Sequence, residues 1–102
     1  MKGYEIFKDD DLNYPREKFN KKEIDYISSI SDYSLDKGGC DIHGDNELFL
    51  FSLSKYDDDW YIVYIRRLKD RGPSLSGSNI YKCDQLDGLK ELFNDYLNKK
   101  NG

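Results

Sequence analysis

Apolar positions change their period along this chain, and the changes mark its elements. Ile24, Ile27 and Ile30 recur at helical spacing behind Asn20, with Glu23 three residues after it. Asn20 and Glu23 form a capping-box pair, and Phe19 and Ile24 sit at the hydrophobic-staple positions, so a helix is predicted over 21–32. From Leu86 the period is helical again. Leu86, Leu89, Leu92, Phe93, Tyr96 and Leu97 fall on one face, and Asp87, Lys90, Glu91, Asn94 and Asp95 take the other. Asp84 stands at the expected N-cap of this second helix. Gly88 inside it would cost about 1 kcal/mol relative to Ala, so close packing against a strand is the expected reason for it.

Between the helices the pattern is that of strands. Residues 47–53 and Trp60–Arg67 are dense in aromatic and long apolar side chains, joined by a polar hairpin loop at 54–59. Shorter strands are expected at 40–43 and 79–83, and Gly44, Asp45 and Asn46 read as a turn because these residues tolerate positive φ. Residues 1–14 hold a short alternation at 4–8 that suits an edge strand or arm, and 68–78 are expected to form a mobile loop. The fold expected is α+β, an antiparallel meander of three or four strands in the order α-β-β-β-β-α, with both helices on one sheet face. Both faces carry apolar side chains: Trp60, Ile62 and Tyr64 point one way, Tyr61, Val63 and Ile65 the other. The second face must be covered by the chain's own segments or by a partner.

The length of 102 residues fits one domain, 1–102. No apolar run approaches the ~20 residues of a membrane span, and no signal-peptide pattern opens the chain. Hydrophobic residues make up 37% and aromatic ones 15%, the latter arguing against disorder. Ala and Thr are missing and Val occurs once, the usage of an AT-rich genome. The net charge of −4 is unevenly spread. Residues 32–59 carry Asp32, Asp36, Asp41, Asp45, Glu47, Asp57, Asp58 and Asp59 against Lys37 and Lys55, while Arg66, Arg67, Lys69 and Arg71 form the basic cluster. Overall acidity disfavours direct nucleic-acid binding, which depends on Lys and Arg neutralising phosphates, and suits a basic partner.

No motif points to a catalytic activity. Cys40 and His43 would face opposite sides of a strand, and Asp41 and Asp45 would raise the thiol's pKa rather than lower it. Cys40, His43, Cys83 and Asp84 lack the paired spacing of a zinc site, and the consecutive Asp57, Asp58 and Asp59 diverge rather than encircle calcium. The two cysteines read as small buried hydrophobes rather than a bridge. No enzyme, cofactor or metal is therefore expected.

From Asp57 the pattern DDDWYIVYI, a Gly/Pro/Ser loop and then YKCDQLDGLKELF resembles small uncharacterised domains encoded by large DNA viruses, over residues 57–97. The resemblance implies a viral, intracellular origin, with the host cytoplasm as location, and no catalytic residues. The expected function is a small acidic protein-binding module, a viral or phage accessory or inhibitory factor that masks a basic surface of another protein. Asp57, Asp58, Asp59, Trp60 and Tyr61 are the expected partner contacts, and Arg66, Arg67, Lys69 and Arg71 the candidate anion or acidic-partner contacts. The alternatives are a homo-oligomer, such as a dimer, formed through the second sheet face, and an enzyme with no recognisable motif.

Overall fold

A computed structural model describes residues 2–8, 15–56, 60–68 and 78–98. Its elements are β1 (Tyr4–Ile6), α1 (Lys21–Ile30), β2 (Asp32–Asp36), β3 (Asp41–Asp45), β4 (Phe49–Tyr56), β5 (Trp60–Arg67), β6 (Asn79–Asp84) and α2 (Gln85–Asn98). The six strands form one antiparallel sheet in the order β1-β6-β5-β4-β3-β2, so the first strand of the chain lies beside the last. The α+β class holds, but the sheet has six strands rather than three or four; the edge strand expected within 4–8 is β1. The difference comes mainly from β2. All five of its residues are exposed, so it has no buried face, and its alternation of Tyr33 and Leu35 with polar residues is too short to reveal a strand in sequence.

The ends of α1 show why it forms where it does. The Asn20 side chain accepts from the Glu23 N–H at 3.0 Å, and the Glu23 carboxylate accepts from the Asn20 N–H at 2.6 Å, closing the predicted capping box. The helix stops at Ile30, two residues short of expectation, because Ser31 is extended and feeds directly into β2. Lys37, Gly38 and Gly39, all at positive φ, then turn the chain back into β3. At the other end Gln85, also at positive φ (56°), lets α2 follow β6 without a loop.

Both helices pack on the sheet face formed by Tyr61, Val63 and Ile65 of β5 and by Phe49, Phe51 and Leu53 of β4. Phe93 of α2 is the hub of this core. It stacks on Phe49 at 5.9 Å, lies 4.7 Å from the Phe51 ring centroid and 6.2 Å from that of Tyr26 on α1. Gly44 is a strand residue rather than the expected turn residue. It sits opposite Phe51 in the β3–β4 register, and a Cβ there would run into the Phe51 ring. Gly88 is explained by the backbone too: it meets Gly3 just before β1, and a Cβ on Gly3 would lie 2.6 Å from the Gly88 Cα.

One polar cluster is buried between α1 and the sheet. Glu23, Lys55 and Tyr61 are each 4% exposed or less. The Glu23 carboxylate lies 3.0 Å from the Lys55 ammonium and accepts from the Tyr61 hydroxyl. Lys55 was expected in a polar loop; it belongs to β4 instead, on the helix-facing side of the sheet. A buried ion pair of this kind adds little net stability, but removing one partner strands the other charge. It fixes α1 over β4 and β5.

Candidate interaction surface

The expected contact residues divide once the strands are in place. Asp57, Asp58 and Asp59 lie outside the described residues. Trp60 is half-buried, with its ring stacked on Tyr56 at 4.7 Å and the Lys82 ammonium 4.9 Å from its centroid. Tyr61 is 1% exposed and belongs to the Glu23 cluster, so it offers no surface to a partner. In the basic cluster, Arg66 is 3% exposed, which removes it as an external anion contact. Arg67 is half-buried at the end of β5. Lys69 and Arg71 lie outside the described residues, as does most of the expected mobile loop at 68–78.

The second sheet face is less open than its apolar pattern suggested. Tyr56 and Ile62 are each 1% exposed within the single chain, whereas Tyr64 is 40% exposed. Arg16 contributes to this covering. It bridges to Tyr56 as a strand would, lies over the Tyr56 ring and pairs with Asp41 at 2.7 Å. Asp41 also accepts from the Ser54 hydroxyl at 2.9 Å. One member of the acidic stretch is thus committed inside the fold.

Asp32, Asp36 and Asp45 of the same stretch lie at the β2 edge. In the antiparallel register Asp32 faces Asp45 and Asp36 faces Asp41, so four carboxylates share the second face of the β2–β3 pair. His43, between them on β3, has its Nε2 3.5 Å from an Asp36 carboxylate oxygen. The other face of β2 carries Tyr33 and Leu35, 39% and 46% exposed. A shallow depression of about 350 Å³ runs along this edge, lined by Tyr33, Ser34, His43 and Leu50 among others. No strand is predicted over 33–36, between the expected helix at 21–32 and the expected strand at 40–43. The signal available was the spacing of Tyr33 and Leu35 between Asp32 and Asp36, a two-residue period too short to stand out.

The thiols show no sign of a nucleophile. Cys40 is half-buried and Cys83 buried, both free. Burial, with the Asp84 charge adding to it, pushes the Cys83 thiol up to about 12, which keeps it protonated and unreactive. Among the described residues no group of three or more His, Cys, Asp or Glu side chains is placed to hold a metal ion, and no helix is long and apolar enough to cross a membrane.

No family model, curated protein or solved structure matches this chain.

Proposed function

We propose that the protein is a small acidic protein-binding module whose β2 edge takes up an extended, basic segment of a partner as a further strand. The observation that carries this reading is the exposed edge itself: five consecutive residues that, among the described residues, have a strand neighbour on one side only. Such an edge presents unpaired backbone donors and acceptors, the template used in strand addition. Its side chains define the partner. Asp32, Asp36 and Asp45 favour Lys or Arg on one face of the incoming strand, and Tyr33 and Leu35 favour apolar side chains on the other.

The same residues weigh against self-association at this edge. Two copies of β2 paired antiparallel about Ser34 would set Asp32 of each opposite Asp36 of the other, a like-charge cross-strand contact. Assembly through the second sheet face is disfavoured by the burial of Tyr56 and Ile62 within the chain. Masking a basic surface of the partner, as an accessory or inhibitory factor would, follows from the charge.

Fluorescence anisotropy with a labelled peptide of alternating lysine and valine tests the proposal. Saturable binding is expected that weakens as salt rises and falls at least tenfold in the Asp32→Ser/Asp36→Ser variant. Equal binding by wild type and variant at all salt concentrations would refute it.

A further inference from the structure

At the opposite end of the sheet, a cleft of about 520 Å³ opens between β1, the ends of β5 and β6, and α2. Its size lies within the range of small-molecule sites. Its walls are three tyrosine rings set nearly at right angles: Tyr4 to Tyr81 at 5.5 Å and 88°, and Tyr81 to Tyr96 at 6.3 Å and 79°. Perpendicular rings are also how proteins cage cations, but here the ring faces already hold cations of the chain. The Arg67 guanidinium lies 4.5 Å from the Tyr96 centroid, and the Lys2 ammonium 5.3 Å from that of Tyr4. The one carboxylate of the lining among the described residues, Asp95, is engaged by Lys2 at 2.6 Å and by the Tyr4 hydroxyl.

What remains for a ligand is a set of donors beside aromatic walls. Arg67 is held in place by its stack on Tyr96 and by donating to the Tyr96 carbonyl at 3.2 Å. The Asn79 amide donates to the Tyr96 hydroxyl at 3.3 Å, and that hydroxyl lies 3.4 Å from the Tyr81 hydroxyl. Burial, reinforced by the Tyr96 contact, raises the Tyr81 pKa, so this hydroxyl stays protonated at neutral pH. Among the described residues Lys2 is paired with Asp95, which leaves the Arg67 guanidinium to meet an anionic ligand.

We infer that this cleft binds a small planar anion, an aromatic ring carrying a carboxylate or phosphate, with the ring against Tyr81 and the anionic group on Arg67. The planar guanidinium fork suits both head groups. The site is independent of the β2 edge and lies at the other side of the sheet.

Amide chemical-shift titration of the intact chain with benzoate, phenyl phosphate, inorganic phosphate and benzylamine tests the assignment. Saturable shifts at Tyr4, Arg67, Tyr81 and Tyr96 are expected with benzoate or phenyl phosphate in the millimolar range. Whichever of the two binds more tightly identifies the head group. Arg67→Gln should weaken that binding at least tenfold, and Tyr81→Phe, which keeps the ring, should weaken it several-fold in a chain whose fold is intact. The assignment is overturned if neither aromatic anion gives saturable shifts at these residues. It is equally overturned if benzylamine or phosphate alone binds as well, or if both variants bind like wild type.

Discussion

At one edge of the sheet β1 spans three residues and is pinned from above; at the other β2 spans five, every one exposed. The pinning uses backbone. Gly3 meets Gly88 of α2, the Gly3 N–H donates to the Glu91 carboxylate at 2.8 Å, and the Gly3 carbonyl accepts from the Asp84 N–H at 3.0 Å. Short length and a helix close at hand are two ways of blunting an edge. The β2 edge is longer and exposed along its whole length, and it relies on charge, with Asp32 and Asp36 flanking Tyr33 and Leu35. Length and packing exclude every added strand, whereas charge excludes only some. Under the proposed reading, the difference marks where a partner strand would add and what charge it would carry.

The largest effect should come from breaking the frame that both edges share. Glu23→Ala removes the buried carboxylate that Lys55 and Tyr61 share and is expected to cost about 3–5 kcal/mol in denaturant unfolding. The double replacement Glu23→Leu/Lys55→Met should recover much of that loss; failure to recover any of it would show that Tyr61 and the capping box dominate.

Next comes the closed edge. Gly88→Val drives its side chain into the Gly3 carbonyl, and overpacking of this kind costs about 1–3 kcal/mol. Hydrogen exchange should quicken in β1 while β2 stays as it was. A uniform change across the sheet would mean that β1 is not a separately docked element.

Tyr26 sits on the seam where α1 meets α2, its ring near Phe93 and under the Lys90 ammonium. Its buried hydroxyl has no hydrogen-bond partner among the described residues, and burial pushes its pKa up to about 12. Between the ordinary value near 10 and 12, the unfolded chain therefore binds fewer protons here than the folded one, so stability falls as pH rises through that window. Tyr26→Phe is expected to stabilise the protein by about 1 kcal/mol at neutral pH. It should also flatten the alkaline decline in urea midpoint; an unchanged pH profile would show that the hydroxyl finds a partner.

The smallest effect on stability belongs to the open edge. Asp32→Ser/Asp36→Ser should stay within about 0.5 kcal/mol of wild type in denaturant unfolding, as surface changes do. A loss of several kcal/mol would assign the two carboxylates to the fold rather than to a partner.

These contrasts also explain what was legible in the chain. Trp60–Arg67 and the face from Leu86 to Leu97 were readable because their periods persist over many residues, and Asn20 with Glu23 because a capping box is local chemistry. The partner of Gly88 was not readable, since Gly3 lies far from it in sequence and carries no side-chain signature. The second role of Glu23 was hidden as well. Its Lys55 and Tyr61 partners are separated from it by 32 and 38 residues, and only the β4–β5 register brings them together. The acidity of the proposed surface can be read in the sequence; its place cannot. Acidity pointed to a basic partner, but the expected Trp60 and Tyr61 went to a ring stack and to the core, and the edge that offers room is a strand with no buried face to announce it.

Hydrogen exchange resolved by residue, with and without the alternating lysine–valine peptide, tests strand addition at β2 most directly. Slower exchange confined to the amides of 32–36 on peptide binding, with β1 unaffected, is the result predicted. Protection that appears elsewhere while 32–36 exchange as in the free protein would contradict it.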